Sequence, residues 1–274
     1  MPGYDSSAIT VRDLAASLAY YRDGLGLDVT RVRDADGRTV ADLALPGGRT
    51  WRLEEHPGVP RYPASARPCD PGFAHLCLYV DDAATVTARL RAAGFGTRGD
   101  VVAITRGPHA GAEAVYAVDP DGFVVELYRP AGRTGEGPGA VTGFFHHGIT
   151  VSDLDDALAF WTALGARLRD RGTRSGAAVA RVVGLTPESL DTAFLDLPGA
   201  PSSIELFAYH GIERHPAIAR DADPASSRLV LRADDPAALA AAVPGGGRPD
   251  RGSVPGALRV HDPDGYPVVL RPGR

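Results

Sequence analysis

Four stretches of the chain share one pattern, in which an alternating segment leads to an aspartate and then to apolar residues at helical spacing. The stretches are SSAITVRDLAASLAYY from Ser6, HLCLYVDDAATVTARL from His75, HHGITVSDLDDALAFW from His146 and RLVLRADDPAALAAAV from Arg228. In each, the aspartate lies seven residues after the first residue, where the N-cap of a helix belongs. The spacing of Leu14, Leu18 and Tyr21 then predicts a helix that buries one face.

Further alternating segments follow each helix and predict additional strands. In the second repeat, EAVYAV and FVVELYR flank a DPDG turn at Asp119–Gly122, and DPDG returns at Asp262–Gly265. Each repeat is therefore predicted to form a βαβββ module, which makes the chain an α+β protein of four tandem modules. The Pro- and Gly-rich stretch between modules two and three favours two domains, residues 1–132 and 143–274, joined by a linker at 133–142.

Strand alternation predicts which side chains share one face of a sheet. In module three, the set that includes His147 is expected to pack under the helix, so His146 faces the open side. The same alternation places His75 of module two on the open face, together with Glu126 and Glu205 near the ends of modules two and three. Imidazole and carboxylate groups on one face are ligands that divalent metals use.

These modules and residues resemble the vicinal-oxygen-chelate superfamily, which includes glyoxalase I, methylmalonyl-CoA epimerase, extradiol dioxygenases and bleomycin-resistance proteins. The resemblance covers nearly the whole chain and implies two glyoxalase-like domains whose curved mixed sheets enclose a metal. Carried over position by position, it implies one divalent metal bound by His75, Glu126, His146 and Glu205. Modules one and four carry other residues at the matching positions, namely Ser6, Arg52, Arg228 and Val269. Arginine cannot deprotonate to become a ligand, so we expect no metal in these two modules.

The distribution of these ligands favours one pairing of the modules. If module two pairs with three and module one with four, a single barrel holds all four ligands. Sequential pairing would leave two ligands in each barrel, which is a weak site. A domain-swapped dimer could also reunite the ligands, so both alternatives stay open at this point.

A second resemblance lies within module two. The stretch GPHAGAEAVYAVDPDGFVVE, from Gly107 to Glu126, resembles the signature of type I extradiol dioxygenases, with its Gly-x-His, its apolar residue before Tyr, its Asp-Pro-x-Gly turn and its metal-binding Glu. The resemblance implies that His109 and Tyr116 lie beside the substrate, with His109 as acid/base and Tyr116 as an orienting donor. The signature normally lies in the last module, and its place in module two implies that the missing histidine comes from module three.

Two histidines and one carboxylate leave metal positions open, which suits non-haem Fe(II) that binds a chelating diolate and O₂. The favoured function is therefore an Fe(II) extradiol-type dioxygenase that cleaves a catechol- or hydroquinone-like small molecule. Mn, Zn, Ni and Co remain open, because the same ligands accept them. Glu205 as a fourth ligand fits a glyoxalase- or epimerase-type lyase or isomerase better. A non-catalytic small-molecule binding or resistance protein is a third hypothesis.

Composition and charge narrow the choice of partners. The chain has 274 residues, a net charge of −5 and no basic run, so nucleic acid and anionic membranes are poor candidates. We expect neither a membrane span nor a signal peptide, and Cys69 and Cys77 form no disulfide framework. A cytoplasmic protein that acts on a small molecule is therefore expected, and a homodimer is compatible with the resemblance. All 29 basic residues are arginine, which excludes lysine Schiff-base and P-loop chemistry.

Overall fold

A computed structural model of the chain describes residues 2–35, 37–56, 58, 66–105, 109–132, 139–216, 226–249 and 254–273. Each of the four repeats forms a strand–helix–strand module at the predicted place. Gly107 of the predicted dioxygenase signature and residues 133–138 of the predicted linker lie outside the described residues.

The elements follow one another in four groups. Module one contains β1 (Gly3–Val11), α1 (Leu14–Leu18), which continues as a π-helical segment (Ala19–Gly24), β2 (Val29–Ala35), β3 (Arg38–Leu45) and β4 (Arg49–Glu55). Module two contains β5 (Ala74–Val80), α2 (Ala83–Ala92), β6 (Gly96–Thr97), β7 (Val102–Ala103), β8 (Glu113–Val118) and β9 (Val124–Arg129). Module three contains β10 (Val141–Thr150), α3 (Leu154–Ala163), β11 (Arg167–Ser175), α4 (Gly176–Val183), β12 (Ser189–Leu197) and β13 (Ala200–His210). Module four contains β14 (Ser227–Ala233), α5 (Pro236–Ala241), β15 (Arg248–Pro249), β16 (Leu258–His261) and β17 (Pro267–Pro272).

An aspartate caps the first helix of every module, as the repeat pattern predicts. Asp13, Asp82, Asp153 and Asp235 have extended backbone geometry, and each side chain accepts a hydrogen bond from a backbone N–H in the first turn. These bonds satisfy N–H groups that a helix start leaves without partners, and each cap stabilises its helix by about 1 kcal/mol. Within the described ranges, no helix is long and apolar enough to cross a membrane.

The strands form two large mixed sheets. The eight-stranded sheet has the order β15-β16-β17-β14-β1-β4-β3-β2, and the nine-stranded sheet has the order β11-β12-β13-β10-β5-β9-β8-β6, with β7 also paired to β8. Modules meet through antiparallel pairs, β1 with β14 and β5 with β10. Inside each module the first strand runs parallel to the last. Module two therefore pairs with module three, and module one with module four, within a single chain.

The hydrophobic cores join different pairs of modules from those that share a sheet. One core cluster contains helix-side residues of modules one and two, and a second contains those of modules three and four. In the first cluster the Tyr20 ring lies 5.1 Å from Phe95, and in the second the Trp161 ring lies 6.2 Å from Tyr266. Every module is thus bound to one neighbour by strand hydrogen bonds and to another by apolar packing. The division into residues 1–132 and 143–274 stays a prediction.

The sheet of modules one and four carries arginines at positions that correspond to ligand positions in the other sheet. Its central strand β1 sets Ala8 opposite both Arg228 and Arg52. The Arg52 Nε lies 2.6 Å from Oδ1 of Asp42, and Arg228 forms an ion pair with Glu54. Guanidinium–carboxylate pairs therefore occupy the open face of this sheet.

We predict that Glu54→Gln destabilises the fold, because it leaves the Arg228 guanidinium without its counter-charge. The Arg228 side chain is 6% exposed and that of Glu54 is 20% exposed, and removing one partner of a buried pair costs about 3 kcal/mol. Urea unfolding followed by circular dichroism measures the change. Asp23→Asn, which breaks an exposed pair with Arg22, is the control and should leave the unfolding midpoint unchanged. An equal midpoint for both variants would contradict the prediction.

Candidate metal centre

Strand register brings four predicted ligands to the middle of the nine-stranded sheet. β10 runs antiparallel to β5 and sets Gly148 opposite His75, which leaves His146 two residues away on the same face. β9 lies beside β5 and carries Glu126, and β13 lies beside β10 and carries Glu205. Residues from two modules that are far apart in the chain therefore converge at one place.

Three of these side chains form a compact group of potential ligands. The Nε2 atoms of His75 and His146 lie 3.3 Å apart. Oε2 of Glu126 lies 3.2 Å from Nε2 of His75 and 3.9 Å from Nε2 of His146. One donor atom from each residue lies within 4.8 Å of the other two. Two imidazoles and one carboxylate that face a common point fit a divalent metal, and they leave positions for substrate.

Glu205 lies next to this group without belonging to it. Its Oε2 is 3.3 Å from Nε2 of His146, but the set whose donor atoms are all mutually close comprises His75, Glu126 and His146. Burial and the nearby Glu126 carboxylate raise the pKa of Glu205 well above its usual value. Two carboxylates in one buried space repel each other, so a cation placed between them would stabilise their charged forms.

Burial keeps His146 in the neutral form that metal ligands require. The pKa of His146 lies well below its usual value because of burial and the neighbouring His75 and His147. His147 points to the opposite face, as strand alternation predicts. Its Nε2 lies 2.6 Å from Oγ of Ser7 and its ring stacks on Trp51, which is a structural role.

Of the two predicted catalytic residues, Tyr116 lies beside the ligand group, and His109 contacts Tyr128, which follows Glu126 on β9. Tyr116 on β8 is directly opposite Glu126 on β9, and its ring centroid is 5.3 Å from that of His75. The Nδ1 of His109 lies 2.8 Å from the hydroxyl oxygen of Tyr128. Burial, together with the positive charge of Arg174, lowers the pKa of His109, so its neutral form dominates at pH 7.

Strand alternation also accounts for the positions of several side chains beside the site that were not predicted as site residues. Tyr128 and Phe207 each lie two residues after a glutamate of the site and face the same side, and the Phe207 ring is 5.6 Å from His75. A β-bulge breaks the alternation at Phe145. Its ring packs 4.6 Å from His146 on the same face, which a strict two-residue period would not have indicated.

An apolar wall closes one side of the centre. A buried cluster contains Ala66, Cys69, Phe73, Tyr116, Val124, Val183, Leu190, Phe207 and Tyr209. Val183 comes from α4, an insertion in module three that departs from the predicted βαβββ order and contacts β8 of module two. The helix therefore joins the two modules beside the ligand group and helps to exclude water from it.

Gly148 provides the space that the His75 imidazole occupies. A Cβ atom at this position would lie 1.9 Å from Cε1 of His75 and 2.4 Å from each of its ring nitrogens. Any other residue would therefore push the ring away from its present position, since the backbone on both strands is fixed by the sheet. The glycine two residues after His146 was visible in the sequence, but its role needed the register of β5 and β10.

We predict that Gly148→Ala lowers metal affinity by about 10- to 100-fold, as loss of a group that orients a ligand does. Isothermal titration with a divalent metal measures the affinity, and circular dichroism confirms that the variant is folded. Gly172→Ala on β11 of the same sheet is the matched control, because a Cβ there would meet nothing within 4 Å. Unchanged affinity in folded Gly148→Ala protein would show that His75 does not bind the metal.

The chain is similar in sequence to one superfamily of known proteins. The sequence pattern of the Glyoxalase/Bleomycin resistance protein/Dioxygenase superfamily matches residues 3–127 and again residues 143–270. Among curated proteins, catechol-2,3-dioxygenase from Bacillus subtilis (strain 168) is 31% identical over 130 residues. That match covers 46% of this chain and 41% of the relative, so it spans less than half of either protein.

A solved structure resembles the chain over almost its whole length. Glyoxalase I from Zea mays superposes with a TM-score of 0.71 at 20% identity, covering 99% of this chain and 92% of that one. At such identity the similarity shows the fold alone, and it confirms the predicted α+β architecture. The two matched segments together span most of the sequence, so the chain belongs to the Glyoxalase/Bleomycin resistance protein/Dioxygenase superfamily, as its residues predicted.

Proposed function

We propose that the chain is an Fe(II)-dependent extradiol-type dioxygenase that cleaves the ring of a catechol- or hydroquinone-like small molecule. The convergence of His75, His146 and Glu126 into one compact group carries the proposal. Further support comes from the dioxygenase-like stretch around His109 and from the relative that is a catechol-2,3-dioxygenase. A cytoplasmic location and a homodimeric state remain parts of the proposal that rest on the family alone.

Each residue of the site has a separate task. His75, His146 and Glu126 would hold the metal, which when bound acidifies the diol and provides a place for O₂. Neutral His109 accepts a proton from a diol hydroxyl group and returns it to the product. Burial raises the pKa of Tyr116 well above its usual value, so its hydroxyl stays protonated and can donate a hydrogen bond to the substrate.

The proposed reaction needs no reductant from outside. The carbon–carbon bond next to the diol breaks, and both atoms of O₂ enter the open-chain product. The substrate supplies the four electrons that reduce O₂. A site for this reaction must therefore bind two substrate oxygens and exclude water, and the apolar wall beside His75 fits the second requirement.

The position of Glu205 favours a second candidate function. Its carboxylate lies 3.3 Å from Nε2 of His146, as that of Glu126 lies 3.2 Å from Nε2 of His75. This repeated arrangement would suit a site with four protein ligands, in which a glutamate moves a proton next to a carbonyl group of the substrate. Such an enzyme would be a lyase or isomerase of the glyoxalase or epimerase type, and it would need no O₂.

We expect protein loaded with Fe(II) without air to consume O₂ when catechol is added, and to form a coloured ring-opened product. Oxygen-electrode and absorbance measurements follow both changes. Glu126→Gln should abolish turnover and weaken iron binding by at least about tenfold. Glu113→Gln on the neighbouring strand, where Glu113 pairs with Arg129, is the control. An iron-loaded protein that is inert towards a broad panel of catechols and hydroquinones would count against the proposal.

The variant Glu205→Gln distinguishes the two chemistries. If His75, His146 and Glu126 hold the metal, we expect the variant to keep its iron and its O₂-dependent turnover. Glutamine fills the same space as Glu205, and no metal ligand is removed. Metal analysis after gel filtration and O₂ uptake are the two measurements. Loss of the metal, combined with turnover of a hemithioacetal or a 2-substituted acyl thioester without O₂ in the unmodified protein, would favour the lyase or isomerase.

A further inference from the structure

Arg174 lies on the face of β11 that looks towards the metal centre. β11 is the edge strand of the nine-stranded sheet. Arg171 points to the opposite face, where its Nη1 lies 2.6 Å from Oδ1 of Asp155 in α3. Arg174 is half-buried while its neighbours on both sides are exposed. It pairs in the sheet with Leu190, a buried member of the apolar wall.

The register of the sheet places Arg174 on the face of the candidate site. Arg174 pairs with Leu190, and Leu190 pairs with Tyr209 on β13, four residues after Glu205. Side chains in such a cross-strand row lie on one face, and both Leu190 and Tyr209 belong to the apolar wall. The positive charge of Arg174 also lowers the pKa of His109 in module two, so the guanidinium lies within electrostatic range of that residue.

Within the part of the chain that the structure describes, the Arg174 side chain has no ion-pair partner, whereas Arg169 on the same strand has one. Arg169 lies 3.6 Å from Asp196 and packs over the ring of Phe194 at 5.0 Å. Among the residues that the structure describes, no hydrogen bond or ion pair joins the Arg174 guanidinium to another group, although its backbone pairs with Leu190 in the sheet. The carboxylates of the centre, Glu205 and Glu126, are turned towards the histidines.

A half-buried guanidinium without a partner costs free energy that surface arginines do not incur. Its planar array of donors matches a carboxylate in a two-point contact, which is why arginine is common in carboxylate recognition. At this site the metal would hold the two diol oxygens and the apolar wall would hold the ring. Arg174 would then meet a substituent of the ring that extends away from the metal.

We infer that Arg174 binds the carboxylate of an acidic substrate, so the ring that this site takes is an aromatic diol with a carboxylate-bearing side group. The inference rests on the proposed function and names its substrate class. It makes Arg174 a specificity residue that contacts substrate away from the bonds that change.

Paired acids and esters test the inference. The probes are 3,4-dihydroxyphenylacetate, its methyl ester and unsubstituted catechol, titrated without O₂ into iron-loaded protein in a calorimeter. Because the contact would be charge-assisted, we expect the acid to bind at least about tenfold more tightly than its ester. Arg174→Met should abolish this preference and leave ester binding unchanged. Arg171→Met, on the opposite face of the same strand, should keep the preference.

The outcomes separate this inference from the function on which it rests. If catechol and the ester bind and are cleaved with O₂ uptake, but Arg174→Met keeps the preference for the acid, only the assignment of Arg174 fails. Equal binding of acid and ester by the unmodified protein also overturns it. If none of the three diols binds to the iron-loaded protein, the proposed function and the inference both fall.

Discussion

The antiparallel pairing of β5 with β10 is the contact on which the candidate site depends. The two histidines are separated by 71 positions in the chain, yet this pairing brings their Nε2 atoms within 3.3 Å. Its register is specific, because Gly148 must lie opposite His75 to leave room for the imidazole. A slip of one residue would turn the ligands of one strand to the helix side.

The rest of the architecture holds this pairing in place. Strand hydrogen bonds join module two to three and one to four, whereas the apolar cores join one to two and three to four. Each module is thus bound by two different kinds of interaction to two different neighbours. The nine-stranded sheet cannot open without also disturbing two hydrophobic cores, whose burial is the main favourable contribution to folding.

The two sheets use equivalent positions for different purposes. In one, imidazoles and carboxylates face each other in a buried space, and burial raises the pKa of Glu205 and lowers that of His146. In the other, Arg52 and Arg228 are neutralised by Asp42 and Glu54. A buried acid can be compensated by a metal or by a guanidinium, and the residues at the matching positions determine which of the two is available.

The sequence by itself determined the features that depend on local periodicity. The helix-capping aspartates, the four repeated modules and the open-face positions of His75, Glu126, His146 and Glu205 follow from spacings of two and of three to four residues. Tyr128 and Phe207 could have been found by the same rule. The family could be identified from these residues because they recur at fixed places within each module.

The distribution of candidate ligands favoured a sheet shared by modules two and three, but only the tertiary structure decided this against the alternatives and showed which modules share a core. Those choices depend on hydrogen bonds and packing between segments that are distant in the chain, and no local pattern records them. The bulge at Phe145, the insertion of α4, the space left by Gly148 and the position of Arg174 became visible only once the strands had a register. The sequence supplied the candidate ligands, and the pairing of β5 with β10 brought them together on one face.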